Sequence, residues 1–328
     1  MTQLAIEPET LSKFLHDPSA CGRKWGLNRD ELATLMNGDA TRLYEALIAS
    51  PVARSDSARP KQAAVAANPF AENLVVIGTG IRTVGHLTLE AIAWLRRADK
   101  VVYIVNDPVA KAIIRKFHGR NAESLEGFYA ENRERRQSYE MMVEAAMKHV
   151  RQGKMTCFAA YGHPGVFAFP THEAVRRARA EGYRARMLPG ISAEDCLFAD
   201  LGIDPGSSGC QSYEATDLLI YSRSVDPSSH LILWQIGILG HLTYKSGGYY
   251  GPRGMPYLLY RLSAMYPAAH PVIVYEAPIF PGMQPVIHQV PLAFLPQVRL
   301  SAGSTLYVPP SCPARTDYNA VQMLGLGR

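Results

Sequence analysis

The sequence predicts an α/β protein with two domains: a doubly wound parallel sheet over residues 74–204, then a mixed-sheet α/β domain over 205–328. Three observations carry this expectation. Between Leu74 and Leu201, short apolar runs that read as strands buried on both faces alternate with stretches of helical period. Several of those runs break directly into Gly- or Pro-rich turns, as strands feeding crossover loops do. After Asp204-Pro-Gly-Ser-Ser208 there are fewer helices per strand, which suggests a second sheet with mixed pairing. A small all-α module precedes both.

That module spans residues 1–50. Leu11, Phe14 and Leu15 share one face, and Leu27, Leu32, Leu35, Leu43 and Leu47 supply others. Asn28 is read as an N-cap, and Asn37-Gly38-Asp39 stops one helix and caps the next. Residues 51–73 are rich in Ser, Ala, Pro and charge, with Pro51, Pro60 and Pro69 and no apolar period, so they read as a flexible linker.

Leu74–Ile77 is the first buried strand and ends in Gly78-Thr-Gly80. A helix is predicted over His86–Ala98 and a strand over Val101–Val105, closing at Asn106-Asp107-Pro108. Helices follow at Ala110–Phe117 and Tyr139–Gln152. Next come a strand at Met155–Ala160, a helix at Thr171–Glu181, a strand at Arg184–Leu188 and a helix at Ala193–Leu201. In the second domain, strands are read at Leu231–Ile236, Val272–Glu276 and Ser304–Val308, a helix at Tyr257–Tyr266, and a hairpin-like segment at Val286–Leu292.

Composition narrows the class. With 47% hydrophobic and 19% charged residues, the 328-residue chain can bury a sizeable core. No apolar run reaches the roughly eighteen residues of a membrane span, and the N-terminus lacks a basic start and apolar stretch, which argues against secretion. Five cysteines (Cys21, Cys157, Cys196, Cys210, Cys312) show no metal-ligand spacing and fit a reducing cytoplasm, so no metal is expected. A net charge of +5 permits a polyanionic partner without arguing for one, and no nucleic-acid partner is expected.

The most informative motif is Tyr161-Gly-His-Pro-Gly-Val-Phe167, at the exit of the strand ending at Ala160. Open α/β sheets bind ligands at the C-terminal ends of their strands. Gly162 and Gly165 let the backbone approach a ligand, and Pro164 stiffens the loop. A second exit, Pro189-Gly-Ile-Ser-Ala193, offers another wall of the same site. Gly78-Thr-Gly80 fits a dinucleotide fingerprint poorly, because position 83 is Thr83 and no acidic residue clearly ends the second strand before Asp107. There is no nucleophile elbow, no phosphate loop with Lys-Ser/Thr and no histidine pair at helical spacing. His163, beside Pro164, is read as shaping its loop.

Together, Leu74–Gly80, the 161–167 loop, Leu188-Pro-Gly-Ile-Ser192 and Trp234-Gln-Ile-Gly237 resemble the tetrapyrrole methylase superfamily. Within it, Phe128-Tyr129, Arg135-Arg-Gln-Ser-Tyr139, Ile191-Ser-Ala-Glu-Asp195, Phe198-Ala-Asp-Leu-Gly-Ile-Asp-Pro205 and Gln322-Met-Leu-Gly-Leu326 resemble the borosin peptide α-N-methyltransferases. The resemblance covers roughly Leu74–Pro310. It implies a tetrapyrrole-methylase-like fold with S-adenosyl-L-methionine bound between two α/β domains, S-adenosylhomocysteine as product, and a homodimer. For the cofactor it implies contacts from Tyr161, His163, Gly165, Val166, Phe167, Ser192, Ala193, Gln235, Glu276 and Ala277.

For the chemistry it implies Tyr129, Arg135 and Tyr139. An amide nitrogen is a poor nucleophile because its lone pair is delocalised. Methylating it requires loss of the N–H proton and stabilisation of the charge on the carbonyl oxygen. A tyrosine with its pKa lowered by a nearby arginine suits the first task, and a second tyrosine hydroxyl suits the other. Tyr139 with Arg135 is read as the base unit and Tyr129 as the oxyanion donor. In some relatives a further tyrosine stands where this chain has Glu126.

Phe14-Leu-His-Asp-Pro18, Gly26-Leu27 and Asn37-Gly-Asp39 resemble the small helical domain of borosin precursors. The partner implied is a peptide substrate or precursor, acting in cis or in trans, with Ala63-Ala-Val-Ala-Ala67 as a less favoured acceptor within the linker. The competing readings are methylation of a tetrapyrrole or RNA with the same cofactor, and a non-catalytic peptide-binding scaffold.

Overall fold

The computed structural model describes residues 17–24, 26, 29, 32–33 and 72–326, save 83–84, 106, 120, 249, 252 and 280–282. Most of the helical module, and the linker up to residue 71, therefore lie outside the described residues. Within the module, helix α1 spans Pro18–Lys24 and is capped by Asp17, whose carboxylate accepts from the Ala20 N–H at 2.9 Å.

The first sheet is fully parallel. Its strands are β1 (Leu74–Gly78), β2 (Lys100–Ile104), β3 (Glu123–Ser124), β4 (Thr156–Ala160) and β5 (Ala185–Met187), in the order β3-β2-β4-β1-β5. Every residue of β1 and β4 is buried, as their continuous apolar runs require when helices cover both faces. Alternate side chains divide the work. Leu74, Val76 and Phe158 meet α4 (Arg135–Arg151) and α5 (Phe169–Ala180) through Met142, Val143, Ala146, Met147, Ala174 and Ala178. Val75, Ile77, Cys157 and Ala159 meet α2 (Leu89–Arg97) and α3 (Pro108–His118) through Ala91, Trp94, Leu95, Ala110 and Ile114. Each large apolar side chain so buried contributes about 1.5–3 kcal/mol relative to exposure.

Past α6 (Ala193–Leu201) and the short α7 (Pro205–Ser208), the chain enters a mixed sheet. Its strands are β6 (Cys210–Glu214), β7 (His230–Trp234), β8 (Pro271–Glu276), β9 (Val286–Pro291) and β10 (Thr305–Val308), in the order β6-β7-β10-β8-β9. Only β6 and β7 run parallel; the other pairs are antiparallel. Helices α8 (Ala215–Ile220) and α9 (Met255–Ser263) cover one face with Leu218, Met255, Leu258 and Leu262. The other face packs on α6 and the turn after β1: Ile232, Trp234, Tyr275 and Tyr307 meet Ile81, Cys196 and Leu197. A last helix, α10 (Tyr318–Met323), carries exposed Tyr318 and Met323.

The two-sheet α/β architecture matches the expectation, with informative differences. Helix α4 begins at Arg135, four residues before the predicted start at Tyr139, so both residues lie on its first turns. Helix α2 begins at Leu89 rather than His86, because Thr88 caps it by accepting from the Ala91 N–H. Asp107 ends no strand; it caps α3 through the Ala110 N–H at 2.7 Å. Strands β3 and β6 were not predicted, since Glu123-Ser124 and Cys-Gln-Ser-Tyr-Glu are partly exposed edge strands with little apolar content.

Candidate active site

The exits of β1, β4 and β5 pack against one another through glycines. Gly80 and Gly162 exchange backbone hydrogen bonds of 3.2 and 3.1 Å, and Gly162 takes φ +71°. A Cβ on Gly78 would stand 2.3 Å from the Gly162 carbonyl oxygen, and one on Gly190 3.3 Å from the same atom. The glycines of this motif are therefore needed first for loop-on-loop packing. Gly162 also borders an open cavity.

That cavity, about 460 Å³, lies between the two sheets. Its walls include Tyr161, His163, Val166, Phe167, Ser192, Ala193, Gln235, Glu276 and Ala277, which is every predicted cofactor residue except Gly165. Gly165 is turned away: its N–H donates to His163 Nδ1 at 2.9 Å, and a Cβ there would meet Met187 Sδ at 2.9 Å. His163 thus shapes its loop, as expected. Thr171 fixes the same loop from α5 by donating to the carbonyls of Pro164 and Ala168.

Other wall residues carry prior commitments. The Ser192 hydroxyl caps α6 in a reciprocal box with Asp195, whose carboxylate accepts from Ser192 N–H at 2.6 Å. Glu276 accepts from the hydroxyls of Ser301 and Ser304, both at 2.6 Å. Trp234 donates from Nε1 to Ser212 Oγ at 2.7 Å, and its ring lies 5.6 Å from Phe167. Phe167 (φ 49°) and Gln235 (φ 60°) are both held in left-handed backbone. For non-glycine residues such strain costs about 1–3 kcal/mol and concentrates at ligand sites.

A second cavity of about 590 Å³ shares Gln235 and Ala302 with the first. The remaining lining is Glu126, Tyr129, Arg135, Tyr139, Ile238, Tyr244 and Tyr250. The predicted Tyr–Arg–Tyr set is thus brought together: a 3-10 turn, Glu126–Phe128, delivers Tyr129 and the start of α4 delivers the other two. The Tyr129 and Tyr139 rings meet edge to face at 6.3 Å.

The electrostatics differ from expectation in one respect. Burial pushes both phenols above the ordinary tyrosine range, and this outweighs the Arg135 charge, which lowers both. The neighbouring Tyr139 raises Tyr129 further. Glu126 pairs with Lys111 at 2.6 Å.

The sequence missed Tyr244 and Tyr250, which reach this cavity from the 239–250 segment after β7. Tyr244 stacks on Tyr129 (4.7 Å, 18°), and Arg135 lies 4.9 Å from the Tyr250 ring centroid. Ile81, Trp234, Ala302, Gly303 and Thr305 of the first cavity were also not assigned individually. Trp234 stood in the motif beside Gln235; the others had no signal beyond position near strand ends.

The fold and paired cavities define a two-domain α/β enzyme class that binds ligands between its sheets. Residues 73–278 match the tetrapyrrole (corrin/porphyrin) methylases, and the chain belongs to that family. It is 45% identical over 255 residues to a methyltransferase/ribosomally synthesized type I borosin cyclic peptide precursor of Coprinopsis marcescibilis, covering 76% of this chain and 64% of that one. It is 40% identical over 260 residues to a methyltransferase/ribosomally synthesized cyclic peptide omphalotin A precursor of Omphalotus olearius, covering 78% and 62%. The chain thus spans somewhat under two thirds of these relatives. Among solved structures, a uroporphyrin-III-C-methyltransferase of Thermus thermophilus superposes with TM-score 0.51 at 18% identity, over 72% of this chain and 91% of that one, which bears on the fold alone.

Proposed function

We propose that the chain transfers a methyl group from S-adenosyl-L-methionine to backbone amide nitrogens of a ribosomally made peptide. The observation that carries this reading is the junction of the two cavities at Gln235 and Ala302. One has a largely apolar wall of strand ends; the other gathers four tyrosines and an arginine. The precursor names of the relatives, 40–45% identical, support a peptide acceptor.

The first cavity suits the cofactor. Its volume is within the usual range for small-molecule sites, and Ile81, Val166, Phe167 and Trp234 offer apolar surface to a flat ring. When bound there, S-adenosylmethionine supplies an electrophilic sulfonium methyl and a positive charge. Tyr139 takes the amide N–H proton, and the Tyr129 hydroxyl donates to the carbonyl oxygen as negative charge develops on it. Arg135 favours the ionised form of Tyr139 and the charge on that oxygen alike. No metal is called for, since alignment and exclusion of water suffice.

A homodimer acting on a precursor in cis or in trans fits this reading, and a reducing cytoplasm fits the free cysteines. No helix among the described residues is long and apolar enough to cross a membrane. The division at 74–204 and 205–328 is proposed as the domain boundary because the chain changes sheets there. The test is incubation with S-adenosylmethionine and candidate precursor peptides, with methyl groups mapped by fragmentation. Methyls on backbone nitrogens support the reading; methyls only on a tetrapyrrole or RNA offered in parallel, or none on any acceptor, sink it.

A further inference from the structure

Residues 239–248, with Tyr250, cross the start of α4 as a strap and are laced to it by backbone. Asn132 N–H donates to Tyr244 O (2.9 Å), Tyr244 N–H to Arg133 O (2.9 Å) and Arg135 N–H to Leu242 O (3.0 Å), with Glu134 opposite Thr243 as an antiparallel bridge. Ser246 N–H adds a bond to the Glu131 carboxylate at 2.7 Å. An element of the second sheet's domain is therefore fastened to the residues that open the helix of the first.

The strap also grips the Arg135 side chain. Nη1 donates to the His241 carbonyl at 2.6 Å, and the guanidinium carbon sits 4.9 Å from the centroid of the Tyr250 ring. Tyr250 is itself immobilised. It is 6% exposed, its hydroxyl accepts from Lys245 N–H at 3.0 Å, and the His241 ring packs 5.6 Å away. An arginine side chain has several rotatable bonds, which give its guanidinium a wide range of positions. A carbonyl at one end and an aromatic face on the plane select one of them.

We propose that Tyr250 is a positioning residue for the methyl-transfer reaction: with the His241 carbonyl it holds the Arg135 guanidinium beside Tyr129 and Tyr139. The proposal deepens the peptide-methylation reading and rests on it for its catalytic consequence. Glu134 and Arg136 flank Arg135 in the chain, Glu131 accepts from the strap at Ser246, and other titratable groups surround the same cavity. Tyr139 comes from α4, and Tyr129 and Glu126 (paired with Lys111) come from the 3-10 turn. His241, Tyr244, Lys245 and Tyr250 come from the strap, with Arg253 acting on His241 from beyond it. Arg135 is the cation that favours the Tyr139 phenolate. A guanidinium free to swing away favours it less, so ionisation then needs higher pH.

The test compares Tyr250→Leu and Tyr250→Met, which fill the buried space without a π face, with Tyr250→Phe, which keeps the face and loses only the hydroxyl. Circular dichroism selects the folded variants of the first two. Two readouts are taken on the full chain. One is methyl transfer to a precursor peptide against pH; the other is phenol ionisation by ultraviolet difference titration against Tyr139→Phe, which needs no substrate. The aliphatic variants are expected to lose about tenfold or more in turnover near neutral pH, to recover as pH rises, and to titrate at higher pH. Tyr250→Phe is expected to follow the wild type in both. An unmoved phenol titration in the aliphatic variants, or a pH profile lowered equally everywhere, overturns the proposal. If the wild-type chain methylates no peptide, the functional reading fails, while the titration still decides whether Tyr250 positions Arg135.

Discussion

The two joined cavities are built in different ways. The one between the strand exits is shaped by backbone: Gly78, Gly162 and Gly190 nest together, and several wall side chains are already committed to capping or bracing. The tyrosine cavity is shaped by side chains converging from a 3-10 turn, a helix start and a strap of the other sheet's domain. Substitutions in the first should therefore act through packing, and those in the second through chemistry.

The largest expected effect lies in the second cavity. Tyr139→Phe removes the proton acceptor and should lower turnover on the order of 10²–10⁴-fold while leaving cofactor affinity, measured by calorimetry, unchanged. Unchanged turnover would assign the base elsewhere. Because burial leaves the Tyr139 pKa above its ordinary value, the base is protonated near neutral pH and turnover should rise as pH increases. The pH–rate profile checks this sign, and a profile that falls between neutral and mildly alkaline pH would contradict it.

In the first cavity the effects should be structural. Gly78→Ala drives a methyl into the Gly162 carbonyl, which is backbone and cannot easily yield, so a loss of about 1–3 kcal/mol is expected in urea unfolding. The smallest effect should come from Gly165→Ala, where the obstacle is the flexible end of Met187. A cost under about 1 kcal/mol and unaltered cofactor binding are expected. A large loss of cofactor affinity would restore Gly165 to the wall.

Much of the fold was legible because buried parallel strands announce themselves as continuous apolar runs, as at Leu74–Ile77 and Met155–Ala160. Edge strands do not: Glu123-Ser124 is short and half-buried, and Cys210–Glu214 is partly exposed throughout. The Tyr161–Phe167 loop pointed to the first cavity because strand ends have a known place in open sheets. The Tyr–Arg–Tyr set rested entirely on resemblance, since tyrosines near a helix start carry no distinctive spacing of their own.

The sequence by itself determined the alternation of strands and helices, the glycines at the strand exits and the residue types in the reactive set. All of these are local, being properties of period, turn chemistry or side-chain type. Only the tertiary structure decided that Tyr244 and Tyr250, more than a hundred positions from Tyr129, would frame it and that Arg135 would be held from the far sheet. It also decided that burial would outweigh the arginine in setting the tyrosines' ionisation. Desolvation depends on everything packed around a group, and no segment of the chain encodes that alone.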